Sequence, residues 1–112
     1  MFQIEGLTEE PKQRYKLPIE NSGIEADLSL YWRDTQNSWY FDLSYDDFSV
    51  REMRLCFMPN ILLQFANRIP FGLLVETKTY QDPLTINTFI DGTTTLYILN
   101  QTEVQELEAV YG

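Results

Sequence analysis

The sequence predicts an all-β protein: a small antiparallel sandwich or partly open barrel, with an apolar crossover segment and a short C-terminal helix or tail. Three observations carry this. Apolar and polar residues alternate with period two, most cleanly over residues 24–33 and 39–44. Turn signals separate the runs at short intervals: "DTQN" at 34–37, Asp46-Asp47, "QDP" at 81–83 and "DGT" at 91–93. The 112 residues are 44% hydrophobic and 14% aromatic, which suits one domain with one modest core.

Residues 1–12, "MFQIEGLTEEPK", read as an N-terminal arm with one short extended piece. The β domain spans 13–100, and 101–112 form a helix or an acidic tail. "RYKLPI" is extended, and Pro18 confines it to an edge or a strand end. "NSG" at 21–23 is a turn. Ile24, Ala26, Leu28, Leu30 and Trp32 then share one face, against Glu25, Asp27, Ser29, Tyr31 and Arg33. Across "DTQN", Trp39, Phe41 and Leu43 oppose Tyr40, Asp42 and Ser44, which makes a hairpin with both tryptophans near its turn. A third meander strand runs from Val50 to Phe57, with Met53, Leu55 and Phe57 on one side and Arg54 and Cys56 on the other.

"MPNILLQFANRIPFG" at 58–72 is punctuated by Pro59, Asn60, Pro70 and Gly72. It reads either as one or two helical turns or as an apolar crossover loop. "LLVETKTY" at 73–80 is a strand, "LTINTFI" reads as extended, and "TLYILN" at 95–100 is the last strand. Thr102 with Gln105 three residues on forms a capping-box pattern, and Val104, Leu107, Val110 and Tyr111 fit one helical stripe.

Composition removes several function classes. Seventeen acidic and eight basic residues leave a net charge of −9. Phosphate contacts need Lys and Arg, so a nucleic-acid binder is not expected, nor is docking on an anionic membrane. No signal peptide and no membrane-spanning segment is visible. Histidine is absent, which excludes Ser-His and Cys-His nucleophile pairs and zinc sites built on His. The single Cys56 permits no internal disulfide, and its apolar setting "MRLCFM" predicts a buried structural thiol.

The remaining chemistry is thin. Asp42, Asp46, Asp47, Asp82 and Asp91 are carboxylates of the type used in glycoside hydrolysis, but Asp at turns serves local hydrogen bonding. Asp46-Asp47 lacks the spacing of a calcium loop. "DGTTT" lacks the Lys and the glycine spacing of a phosphate loop, so Thr93, Thr94 and Thr95 read as a turn entering a strand. No catalytic residue, metal or cofactor is expected. The aromatic surface stands out more: Tyr31, Tyr40 and Tyr45 lie off the core face of the hairpin, where tyrosine is enriched at protein interfaces. The competing reading is that another element covers that face.

The order of features carries a resemblance. An extended "LPI", an alternating strand, a short turn and "WYFDL" are followed by "MRLCFMPNILLQF", "PFGLLV", the Asp82-Pro83 pair and "DGTTTLYIL". Over residues 14–100 this resembles the small baseplate plug proteins of tailed bacteriophages. The chain departs from that pattern at Arg51 and Arg54, where a more apolar, glycine-containing approach is expected. The resemblance implies a non-enzymatic virion protein of the tail baseplate, made in the host bacterial cytoplasm. Such a protein seals the tail tube and contacts hub and tube proteins, in a symmetric assembly that a homo-oligomer would suit. Two other classes compete. The −9 charge suits an inhibitor that mimics nucleic acid, and the scattered carboxylates suit a small ligand-binding β-barrel or a glycosidase. Neither is preferred, because the acids are dispersed among turns and the chain end.

Overall fold

The computed structural model describes residues 2–19, 23–58, 60–65, 68–78 and 84–111, with side chains described through residue 107. The expected turn at 21–22, the 81–83 turn with Asp82 and Pro83, and the side chains of Val110 and Tyr111 lie outside the described residues.

Among the described residues, seven strands form two antiparallel sheets, β1(Phe2–Gln3), β2(Lys12–Pro18), β3(Glu25–Arg33), β4(Ser38–Tyr45), β5(Phe48–Arg54), β6(Phe71–Thr77) and β7(Thr94–Asn100). One sheet is ordered β2-β3-β4-β5 and the other β1-β7-β6. This is a sandwich and not a closed barrel. Its core is one cluster drawn from the inner faces of both sheets, including Leu28, Leu30, Trp39, Phe41 and Leu43 from one and Phe71, Leu73, Val75 and Leu96 from the other. Rings bridge the layers: Tyr45 meets Phe71 at 5.3 Å, and Trp39 meets Phe89 at 5.1 Å.

The hairpin of β3 and β4 follows the alternation. Ala26, Leu28 and Leu30 are buried, and Trp32 packs on the core from a half-buried position. Pro18 ends β2, which lies at a sheet edge and so needs no donor from Pro18. Asn37 and Asp46 take positive φ at the two hairpin turns, a conformation that Asn and Asp tolerate.

Several expectations are corrected. β5 starts at Phe48 and ends at Arg54, with a register shift between the Phe41 and Leu43 pairs. Glu52 sits in that bulge at φ 57. Cys56 is half-buried, its thiol turned toward the Arg54 carbonyl at 3.5 Å, and is not a core thiol. β6 is Phe71–Thr77 and so starts two residues before the expected 73, while 79–80 of the expected strand lie outside the described residues. The 58–72 crossover combines a bridge from Met58 to Val75 with a 3-10 turn at Leu63–Phe65. It hydrogen-bonds along the free edge of β6 and buries Ile61, Leu62 and Ile69. Asn60 organises this segment: its buried Oδ1 accepts from the N–H groups of Leu62 at 2.9 Å and Leu73 at 3.1 Å.

Residues 84–90 are successive turns, not an extended strand. The Thr88, Asp91 and Gly92 N–H groups donate to Thr85, Asn87 and Phe89 carbonyls. That winding drops Phe89 onto Trp39 and presents the Thr85 carbonyl to the Trp39 indole N–H at 3.2 Å. At "DGT", the Asp91 carboxylate accepts from the Thr93 N–H at 2.9 Å, and Gly92 has φ 79, which favours glycine. The C-terminal segment is a helix, α1(Gln101–Tyr111). Its cap is Asn100, not Thr102. Asn100 Oδ1 accepts from the Glu103 N–H at 2.8 Å, and Glu103 Oε1 accepts from the Asn100 N–H at 3.0 Å, a reciprocal box. α1 packs on β6 and β7. Leu99 and Val104 are buried yet stand apart from the inter-sheet core, so the helix covers the outer side of the three-stranded sheet.

Candidate functional site

The four-stranded sheet turns its other face outward, and the strand pairing gathers one set of side chains there. Lys12 is opposite Tyr31, Tyr31 opposite Tyr40, and Tyr40 opposite Arg54. The row beside it brings Arg14 to Ser29 and Ser29 to Asp42. None of these is a core residue, because Gln13, Leu17, Leu28, Leu30, Phe41 and Leu43 fill the inward positions.

Two tyrosines form the centre. The Tyr31 and Tyr40 rings stack at 6.1 Å with 22° between planes, as cross-strand neighbours on one face can. The Arg33 guanidinium lies 4.5 Å from the Tyr40 ring centroid and 5.3 Å from that of Tyr31. It also pairs with Glu52 at 3.2 Å. Cation–π contact and ion pair together hold a long side chain across the rings.

Asp42 ties this cluster to the bulge. One carboxylate oxygen accepts from the Tyr31 hydroxyl at 3.1 Å and from the Glu52 backbone N–H at 2.8 Å. The extra residue of a bulge leaves a donor without a ladder partner, and Asp42 supplies the acceptor. Burial raises the Tyr31 hydroxyl above its ordinary pKa of 10.0. The hydrogen bond to Asp42 and that residue's charge add to the shift, while Arg33 opposes it. The side chains of this face are therefore held in place by their own contacts.

Shallow grooves flank the rings. One of about 420 Å³ runs past Lys12, Arg14 and Tyr31. Another of about 210 Å³ lies between Arg14 and Arg51, floored by Asp27, Ser44 and Ser49. Both are open troughs, the smaller one lined mainly by polar groups, unlike the enclosed apolar cavities that bury small ligands. Among the described residues no three His, Cys, Asp or Glu side chains gather as metal ligands.

Tyr31 and Tyr40 lie outward as their alternation requires. Tyr45 does not: it follows Leu43 on the inward set and its ring packs on Phe71. The carboxylates are dispersed. Asp42 is on a strand and already engaged, Asp46 and Asp47 form the hairpin turn, Asp91 holds its own turn, and Asp82 lies outside the described residues. Hydrogen bonds from Thr93, aided by the Lys78 charge, hold the Asp91 carboxyl below the usual carboxylate range. Sequence reasoning missed Arg33, Asp42 and Glu52 as members of one cluster. Arg33 was legible, two residues from Tyr31 on the same face. Glu52 was not, because its approach to Arg33 and Asp42 depends on the bulge.

A family model described as cyanophage baseplate Pam3 plug gp18 matches residues 1–102 of the chain. Comparison with curated proteins gives no match.

Proposed function

The chain belongs to the phage baseplate plug family, and from that membership we propose that it seals the tail tube and contacts hub and tube proteins. The role makes it a component of the virion tail, made in the host bacterial cytoplasm and assembled without catalysis. The family match carries the reading, since it extends over nearly all of the chain. The outward face of the four-stranded sheet supports it. Tyr31 and Tyr40 are fixed there by Arg33 and Asp42, although the fold's own core does not use them. Ordered aromatic rings beside arginines are the residue types enriched at protein interfaces.

Cryo-electron microscopy of purified virions tests the proposal. The expected result is density for this sandwich closing the lumen at the distal end of the tail. A tail tip that lacks the chain overturns the reading. An open lumen beside a bound copy overturns the sealing role alone.

A further inference from the structure

The charge of this acidic protein is unevenly distributed along the chain. Six of its eight basic residues belong to the outward face of the four-stranded sheet: Lys12, Arg14, Lys16, Arg33, Arg51 and Arg54. Four acids share that face, Glu25, Asp27, Asp42 and Glu52, which leaves it at +2. The rest of the chain holds thirteen of the seventeen acids and two basic residues, a balance of −11. Arg14 pairs with Asp27 at 3.8 Å and Arg33 with Glu52 at 3.2 Å on this face. Lys12, Lys16 and Arg51 have no carboxylate within ion-pair distance among the described residues.

The opposite layer has the opposite sign. There α1, which carries Glu103 and Glu106, covers the three-stranded sheet, and exposed Glu76 lies on the same outer side of β6, opposite the inward Phe71, Leu73 and Val75. No basic residue belongs to α1. One molecule therefore presents a cationic, tyrosine-bearing front and an anionic back.

We infer that the front of one copy docks on the α1 back of a second copy, a front-to-back contact between identical chains. This rests on the assignment of the tyrosine face as a docking surface and names its occupant. Such a contact uses two different patches, so it closes into a ring if the rotation per step permits and otherwise extends as a stack. Net charge opposes the pairing only when the field of the whole molecule is felt. At about 0.1 M ionic strength the screening length is about 10 Å. That is shorter than the smallest dimension of the molecule, 22 Å. The facing layers then interact through local complementarity, which sets register and specificity. At about 1 M the screening length falls to about 3 Å and the ionic attraction is lost.

Sedimentation velocity on the purified full chain reads this directly. Concentration-dependent association is expected at about 0.1 M ionic strength and is lost at about 1 M. A front variant, Lys12→Glu with Arg51→Glu, and a back variant, Glu76→Gln with Glu106→Gln, each weaken self-association at least tenfold. All four side chains are exposed, and circular dichroism confirms that the variants fold. Mixed one to one, the front variant keeps an intact back and the back variant an intact front, so they form a heterodimer that grows no further. A wild-type chain that stays monomeric at about 0.1 M overturns the inference, as does a mixture that forms no heterodimer. Virion density that shows the tyrosine face against a different tail protein also overturns it and leaves the plug role standing. Absence of the chain from the tail tip fails the plug role and leaves the self-association result intact.

Discussion

Trp39 joins the layers through one side chain. Its ring is fully buried, touches Trp32 at 5.7 Å and Phe89 at 5.1 Å, and its indole N–H reaches the Thr85 carbonyl. Trp39→Ala is expected to cost about 3–5 kcal/mol in urea unfolding. Tyr40 is the contrast on the same strand. Its ring contacts Tyr31 and Arg33 outside the core, so Tyr40→Ala should cost about 1 kcal/mol or less, and lower incorporation into tails while the chain stays folded. Unfolding of the Tyr40→Ala monomer would place that ring in a second core. Gly72 is constrained by a neighbour and not by its φ. An added methyl would stand 2.7 Å from the buried Asn60 Oδ1, which already holds two backbone N–H groups. Gly72→Ala is expected to lower the unfolding free energy by about 1–3 kcal/mol. Tyr31 gives a pH signature. Its folded pKa is raised above 10.0, first by burial and then by Asp42, so its contribution to stability is full below that value. It is lost as pH climbs through the folded pKa. Alkaline absorbance titration should show a late phenol step that Tyr31→Phe removes, with the Tyr15 step, raised by burial, remaining.

At the scale of elements, α1 depends on its cap. The box between Asn100 and Glu103 satisfies two backbone donors, and Glu103 also lies at the positive end of the helix. Asn100→Ala should destabilise by about 0.5–2 kcal/mol and raise amide exchange in the first turn of α1. The same element shows where sequence reading succeeds and where it slips. The helix was legible from its stripe, but two polar quartets compete for the cap, Thr102 with Gln105 and Asn100 with Glu103, and the end of β7 decides between them. The β3–β4 hairpin was legible because period two continues unbroken through both strands. β5 was legible in part: Met53 and Leu55 face the core and Arg54 the outside as the alternation requires, but the residue inserted at Glu52 brings Phe48 and Val50 onto that same inward side and moves the strand's bounds. Residues 84–90 look extended by their β-branched content, yet packing Phe89 on Trp39 favours turns. Tyr45 was misplaced by one step of the pleat, although Trp39, Phe41 and Leu43 already marked its side as inward. The tyrosine pair was visible in the chain. The carboxylate and arginine that fix it depend on pairing between strands, which local patterns do not state.

For the whole molecule, the core is one connected cluster spanning both sheets. A single cooperative transition is therefore expected, with near-ultraviolet dichroism from Trp39 and far-ultraviolet dichroism giving the same midpoint in urea. Separate midpoints would show that the sheets melt independently. The two borders of the four-stranded sheet have a further consequence. β2 alternates Lys12, Arg14 and Lys16 before Pro18, and β5 is bent by the Glu52 bulge. Charged, proline-ended or bulged borders template new strands poorly. The backbone edges therefore discourage strand-on-strand fibre growth, and any association is left to side chains on the broad faces.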